Sequence, residues 1–356
     1  MKKYTTLFGS FLIAVSLVNA TVRTVSNIPS TLAQFNTIQA AINVSSNGDT
    51  IYVHGSPNAY AAFTITDVRL VIIGPGWAPD KNLPFTAVVA GCTVTGTLSS
   101  NTEIQGLVFT GAIALYTGVH PDGMKFIRNS FQQLIYVHSG GTTFSNYLFE
   151  GNLFDDTYML ASTGINYVNF LFQNNVFYKA SSYSIVGFAN STNVLFNHNL
   201  WYGPASSSVD CFASTCQFLT ITNNIFVRRN AATANSNSTF NNNITYLTTN
   251  DLPWTVNSNI NGGGNVSAQS PQMVDQTAVN AGTNNPLLNF TIAAGPANNS
   301  GSDLKDMGLL YDPTGSLNWT NSRISRLPFI YSMNITNPTI PVGGTLNVNV
   351  EARKNN

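Results

Sequence analysis

Charge is the scarcest property of this sequence. Only 8% of its 356 residues are charged, and 15 basic residues balance 15 acidic ones, so the formal net charge is zero. A chain with so little positive charge has no electrostatic basis for binding nucleic acid or an anionic membrane surface. It is not typical of disordered chains either, because 43% of its residues are hydrophobic and disorder combines low hydrophobicity with high net charge. We therefore expect a folded protein that does not bind nucleic acid.

Cysteine is also rare, with three residues in the chain, Cys92, Cys211 and Cys216. Their spacing matches no zinc motif. Cys211 and Cys216 flank a short loop, and in an oxidising compartment they can form a disulfide that leaves Cys92 over. The alternative is three small, unpaired core residues, and the sequence leaves both interpretations open.

Metal-binding patterns are missing as well. The four histidines share no ligand spacing, such as two histidines four residues apart on a helix. Asp303, Asp306 and Asp312 lie near glycines towards the end of the chain, but their spacing does not match a calcium-binding EF-hand loop. We predict turns there and no metal cofactor, with calcium as the alternative.

Long apolar stretches are confined to the N-terminus. Residues 7–18 are mostly apolar, follow Lys2 and Lys3, and lead into Val18-Asn19-Ala20. This is the layout of a secretory signal peptide, and the apolar run is short for a membrane span. We predict a signal peptide over residues 1–20, export to the medium or the cell surface, and no transmembrane segment afterwards.

A repeat occupies the middle of the chain. Its unit is an apolar residue, two variable residues, an asparagine and two further residues that are mostly apolar or aromatic. Copies lie at residues 126–131, 149–154, 172–177, 196–201 and 221–226, with a degenerate copy at 240–245. The conserved position is occupied by Asn129, Asn152, Asn175, Asn199 and Asn224, which are 23, 23, 24 and 25 residues apart. One step upstream, Leu107 stands in place of the asparagine.

The period and composition of the repeat predict an all-β fold, a right-handed parallel β-helix. A unit of this length forms one coil of three short strands, and its β-branched, aromatic and turn-forming residues do not fit a leucine-rich repeat. Equivalent side chains on successive coils stack about 4.8 Å apart. The asparagine amides can then hydrogen-bond from coil to coil as an internal ladder, beside a column of stacked phenylalanines. Both columns are predicted to be structural.

The ends of such a solenoid need covering, because open strand edges promote aggregation. Leu32, Phe35, Ile38, Ala41 and Ile42 recur at helical spacing and predict an N-terminal capping helix. Two alternating runs, 330–335 and 346–350, predict a small C-terminal β-hairpin cap. We therefore divide the chain into the signal peptide, a β-helix domain at 21–312 that includes the N-terminal cap, and a linker with a β-strand cap at 313–356.

Segments at both ends carry a family resemblance. The opening includes Phe-Asn-Thr-Ile-Gln-Ala-Ala-Ile at 35–42, Gly-Asp-Thr-Ile-Tyr-Val at 48–53 and Val-Ile-Ile-Gly at 71–74. It resembles the start of the pectate-lyase-like (pectin-lyase-like) β-helix superfamily. Residues 285–308 are similar to the closing coils of secreted bacterial β-helix proteins, with Gly, Asn and Asn where that pattern has Ser, Ile and Asp. The resemblance covers most of the chain and implies the fold, but not an activity, since enzymes and non-enzymes share it.

Catalysis of the kind that the resemblance suggests needs a particular constellation. A lyase would require carboxylates that hold calcium beside a Lys or Arg base, and a hydrolase would require converging acids. The repeat aligns no stacked carboxylates, and Asp155-Asp156 has the character of a turn. Opposite charges can meet on adjoining coils only at Asp210, Lys179 and Arg228. These are the candidate catalytic residues, although scattered loop charges explain them more simply.

Three functional hypotheses remain. The first is an exported, non-catalytic protein that presents a surface to extracellular glycans or cell-surface components. The second is a polysaccharide lyase or glycoside hydrolase acting on a pectin-like or uronate-containing polymer, and the third is a structural or adhesive surface rod. Tyrosines expected at the surface favour the first hypothesis, because flat rings stack on sugars. They are Tyr136, Tyr158 and Tyr183 as candidate ligand-binding residues, together with Tyr178 and Tyr202.

Overall fold

The protein folds as a right-handed parallel β-helix, as predicted. The computed structural model describes residues 20–78, 85–115, 119–137, 143–204, 210–250, 253–311, 317–323, 328–335 and 343–354. The predicted signal peptide, apart from Ala20, lies outside the described residues. The coils build three parallel sheets, which we call A, B and C, and a complete coil passes through them in that order.

The strands are short, as expected for a coil of this period. Sheet A contains Val22–Val25, Thr50–Val53, Val71–Ile73, Glu103–Gln105, Lys125–Ile127, Thr143–Ser145, Leu148–Glu150, Asn166–Gln173, Asn190–Asn197, Leu219–Thr222, Thr239–Asn241 and Ile260–Gly263. Sheet B contains Val88–Val89, Val108–Phe109, Ser130–Phe131, Leu153–Asp155, Val176–Tyr178, Leu200–Tyr202, Ile225–Val227 and Ile244–Tyr246. Sheet C contains Phe63–Thr66, Cys92–Thr95, Ile113–Ala114, Ile135–Val137, Met159–Ala161 and Ile185–Val186.

The asparagine ladder lies at the turn from sheet A to sheet B, in the predicted register. Asn175 is representative: its Nδ2 donates to the Phe149 carbonyl at 2.9 Å and to Asn199 Oδ1 at 3.0 Å. Its own Oδ1 accepts the backbone N–H and the Nδ2 of Asn152 at 2.8 and 3.0 Å. The same pattern links Asn129, Asn152, Asn175, Asn199 and Asn224, and continues to Asn243 and Asn265. Each amide thus satisfies backbone groups that the turn leaves unpaired.

Aromatic columns fill the interior beside the ladder. Phe126, Phe149, Phe172 and Phe196 stack face to face on successive coils, with ring centroids 5.1, 4.8 and 4.4 Å apart. A second column runs along sheet B through Phe154, Phe177 and Trp201, with separations of 4.3 and 3.8 Å. The predicted aromatic stacking is confirmed.

The outer face of sheet B is covered by residues 264–311, which we call the strap. It runs back along the solenoid: Val266 bridges Ile244 on a late coil, whereas Leu310 N–H donates to Asn174 Oδ1 on an earlier one at 2.8 Å. Between these points its apolar side chains pack on outward residues of sheet B. The buried set includes Val176, Tyr178, Leu200, Tyr202, Ile225, Val227, Met273, Val279, Phe290 and Met307. Sheet B is therefore buried on both faces, which explains its continuous apolar strands.

The residues before four of the ladder asparagines, namely Asn174, His198, Asn223 and Asn242, anchor the strap. These residues have positive φ, for example Asn174 at 54°, His198 at 53° and Asn223 at 59°, and their side chains point outwards. Asn223 Oδ1 accepts the backbone N–H of Ser302 at 2.7 Å, and Asn242 donates to the Ser300 carbonyl at 2.9 Å. The segment expected to form closing coils is instead an extended cover over the earlier ones.

The N-terminal cap was not predicted correctly. Among the described residues no helix precedes the first strand, and the helix that forms, Ile38–Asn43, follows Val22–Val25 in the chain. Leu32, expected on its buried face, is 102% exposed. The preceding segment pairs with sheet A instead, since Phe35 N–H donates to the Thr24 carbonyl at 3.1 Å. Backbone pairing with the open edge of sheet A is therefore favoured over an extension of the helix back to Leu32.

The remaining elements lie mainly beyond the coils. Short α-helices occupy Gln276–Asn280 in the strap and Trp319–Ser322 after it, and 3₁₀ segments occupy Thr97–Ser99 and Pro253–Ser258. The predicted C-terminal hairpin is present as the antiparallel strands Pro328–Ile335 and Val348–Lys354. In the described part of the chain, no helix is both long and apolar enough to cross a membrane.

Candidate functional site

The candidate residues gather at the turn from sheet B to sheet C, which we call the B–C corner. It comprises residues 132–134, 156–158, 179–184, 210 and 228–230 on successive coils. Tyr158, Lys179, Tyr183, Asp210 and Arg228 all lie here, and Tyr136 lies beside it on sheet C. Residues chosen from separate parts of the sequence therefore share one edge of the solenoid.

Lys179 is held inside this corner. Its side chain is 8% exposed, and its Nζ lies 2.7 Å from the Asp156 carbonyl oxygen and 3.3 Å from Asp156 Oδ1. The ammonium also lies 5.8 Å from the centroid of the Tyr158 ring, within range of a cation–π interaction. The same carboxylate accepts the backbone N–H of Ala180 at 2.9 Å. Lys179 thus joins two coils from within.

Arg229, the neighbour of the candidate Arg228, bonds to the coils beside it. It is 1% exposed, and its guanidinium donates to the carbonyl oxygens of Ser182 at 2.6 Å and of Asp210 at 3.3 Å. Arg228, the predicted candidate, directs its Nε to the Asn280 carbonyl of the strap. The Arg-Arg pair was visible in the sequence, but only the register distinguishes the buried member from the one that faces the strap.

Asp210 is partly buried and does not form the predicted trio. Among the described residues, no ion pair joins Asp210 to Lys179 or Arg228. Its Oδ1 is buried without a hydrogen bond, and burial raises the pKa of its carboxyl above the ordinary value. Lys179 pairs with Asp156 instead, a residue that the sequence suggested only as a turn former.

The tyrosines divide into two groups. Tyr136, Tyr158 and Tyr183 are partly exposed and belong to three successive coils. Tyr178 and Tyr202, which we expected at the surface, are 7% and 0% exposed because the strap covers them. The expectation was wrong for these two because spacing within one coil does not reveal a cover supplied by a distant segment.

The outer face of sheet C continues the surface of the three exposed tyrosines. Tyr136 aligns with Leu160 on the next coil, and Leu160 aligns with Val186 on the one after. On the preceding coil Tyr136 aligns with Ala114. Each of these residues is half-buried and none is charged, so the column is a partly exposed, uncharged strip beside the B–C corner.

Possible metal ligands are dispersed or already bonded. Within the described ranges, no three His, Cys, Asp or Glu side chains are grouped so as to hold a metal ion. Asp306 Oδ1 accepts the Asn299 N–H at 2.8 Å, and Asp303 Oδ2 lies 3.1 Å from Nε2 of buried His198. Both aspartates secure the strap, and Asp312 lies outside the described residues.

The three cysteines are buried and unpaired. Burial raises the pKa of the Cys211 thiol to about 12 and that of Cys216 to about 11. Of the two interpretations left open by the sequence, the structure shows unpaired core residues, and none of the thiols is at the corner surface.

The geometry of the corner favours binding over proton transfer. A base for an elimination must reach the substrate, whereas Lys179 bonds to Asp156 and Arg228 bonds to the strap. The groups that face solvent include partly exposed rings, exposed amides and hydroxyls, and the half-exposed Asp156. No protein-family model matches the chain, and a comparison with curated proteins finds no match.

Proposed function

We propose that this is an exported, non-catalytic β-helix protein whose B–C corner and adjoining sheet C face bind an extracellular glycan. We also propose that it is a distant member of the pectate-lyase-like superfamily that has lost or never had the lyase chemistry. The observation that carries the glycan proposal is a staggered row of three partly exposed tyrosines, Tyr136, Tyr158 and Tyr183, one on each of three successive coils. The row is staggered around the corner because Tyr136 aligns with Leu160, two residues after Tyr158. Coils rise by about 4.8 Å each, so the row extends about 10 Å along the axis, enough for a short run of sugar units.

The surroundings of the row fit sugar recognition. Aromatic rings offer a flat apolar surface, while their hydroxyls and neighbouring amides supply hydrogen bonds. Gln132 and Gln133 lie exposed on the coil of Tyr136, and Ser181 and Ser182 lie exposed on the coil of Tyr183. A rigid solenoid holds these groups in fixed positions, which reduces the entropy that is lost on binding.

The test is a glycan array combined with a lyase assay on pectin and alginate that monitors the absorbance of unsaturated uronates. We expect binding without turnover, lost in Tyr158→Ala and retained in Tyr158→Phe, which keeps the ring. Tyr52→Ala is the matched control, because Tyr52 is a half-buried tyrosine on sheet A, away from the corner.

Two results would overturn the proposal. Uronate release that disappears in Lys179→Ala or Arg228→Ala would establish a lyase and locate its site. Absence of binding to any glycan, with a folded protein, would favour a structural or adhesive rod.

A further inference from the structure

We propose that the ligand of the B–C corner is an electrically neutral glycan and that the corner rejects polyuronates. The inference rests on the proposed function and adds the chemical class of the polymer. It differs from the expectation that follows from the family resemblance, because a pectate-lyase-like enzyme would act on a uronate-containing polymer. The argument depends on which charges at the corner face inwards.

The cations of the corner are bonded to the protein, and two of them, Lys179 and Arg229, are buried. Lys179 is bonded to Asp156, and Arg229 is bonded to carbonyl oxygens of neighbouring coils. Arg228 bonds to the Asn280 carbonyl. Recognition of carboxylates relies on Arg or Lys groups that reach the ligand, and each of these three is engaged by the protein itself.

The carboxylates are the charges that face solvent. The side chain of Asp156 is 52% exposed even though it pairs with Lys179. Asp155, next to it, is half-buried and accepts a hydrogen bond from Asn284 Nδ2 at 3.0 Å. An anionic polymer that lay along the tyrosine row would bring its carboxylates towards Asp155 and Asp156, while the cations of the described corner are already bonded to the protein.

The sheet C strip adds an independent observation. Its outward column consists of Thr93, Ala114, Tyr136, Leu160 and Val186, which carry no charge in the described part of the sheet. Apolar and aromatic side chains fit the C–H faces of sugar rings, whereas a charged group that lost its water here would gain no partner. The B–C corner and the sheet C strip therefore both select against a negative charge on each sugar.

A matched pair of polymers tests the inference. Polygalacturonate and fully methyl-esterified polygalacturonate share a backbone and differ in charge, and hydroxyethyl cellulose and carboxymethyl cellulose form a second pair. Binding to immobilised protein is measured at low and high NaCl concentration. We expect the neutral member of a pair to bind at least roughly tenfold more tightly at low salt, with little change on adding salt, because only the anionic member experiences a screenable repulsion.

A charge variant checks the cause. Asp155→Asn is expected to keep the affinity for the neutral polymer and to reduce the discrimination against the anionic one. Preference of the wild-type protein for polygalacturonate or carboxymethyl cellulose would overturn the inference and leave the glycan-binding proposal standing. Lack of binding to all four polymers and to a wider neutral glycan array would overturn both.

Discussion

Replacing Asn175 with Leu removes one rung from the middle of the asparagine ladder. The backbone N–H of Asn152 then loses the Oδ1 that it bonds at 2.8 Å, and it is buried where water cannot replace that oxygen. The Asn152 Nδ2, the Asn199 Oδ1 and the Phe149 carbonyl each lose one further bond, of 3.0, 3.0 and 2.9 Å. An orphaned buried amide costs about 1–3 kcal/mol, and each lost bond contributes about 1 kcal/mol net. Together these losses predict a destabilisation of roughly 4–6 kcal/mol.

The assay has a global and a local part. Denaturant titration gives the change in unfolding free energy, and hydrogen exchange should show a faster-exchanging Asn152 amide. Asn190→Leu is the control, because Asn190 is an exposed asparagine on sheet A whose Nδ2 makes one surface hydrogen bond, to the Thr163 carbonyl at 3.3 Å, where water can take over. Equal stability of Asn175→Leu and wild type, with Asn152 still protected, would refute the idea that the ladder satisfies buried backbone groups.

Three further predictions concern the strap and the core. Burial lowers the pKa of His198, so protons bind preferentially to the unfolded chain and stability should fall as the pH drops below about 6.5. Thermal melts at about pH 7.5 and pH 5 should therefore show a smaller loss of stability in His198→Asn than in the wild-type protein. Gly282 has φ +67°, and a Cβ there would lie 2.1 Å from Pro204 Cα, so Gly282→Ala should loosen the strap, expose sheet B and increase the binding of an apolar dye. Gly164→Ala, with open space around the glycine, should have no such effect. Because the three thiols are buried and unpaired, a thiol reagent should titrate none in the native protein and all three after denaturation, whereas a Cys211–Cys216 disulfide would leave one.

The coils could be predicted because each repeats the same physical requirement. A turn that leaves backbone groups unpaired inside the solenoid recurs on successive coils from Asn129 onwards, so the same amide recurs at the same position, as at Asn152 and Asn175. The C-terminal hairpin was predictable for a similar reason, since alternation within one strand is a local property. Local spacing was sufficient in both cases.

The strap could not be predicted in the same way, because its contacts join residues far apart in the chain. Leu310 bonds Asn174, which is 136 residues away, and Gly308 contacts His198 across 110 residues. No repeat marks such a pairing. The doubly apolar strands of sheet B, such as Val176–Tyr178, were the available indication that something covers their outer face.

The candidate site was predicted in position but not in pairing. Counting along the coils placed Lys179 and Asp210 at one corner, and the structure brings them there. Counting could not show that the Lys179 ammonium turns inwards to Asp156. The direction of a long side chain depends on the next coil, which the sequence of one coil does not contain.

The central claim is that the row of Tyr136, Tyr158 and Tyr183 contacts a neutral glycan, and hydrogen exchange of the protein with and without such a polymer tests it most directly. The polymer is methyl-esterified polygalacturonate or hydroxyethyl cellulose, whichever binds more tightly. Binding is expected to slow exchange in peptides that cover residues 132–137, 156–161 and 181–186, and to leave the strands of sheet A unchanged. Protection confined to sheet A or to the strap, with these three segments unaffected, would contradict the account.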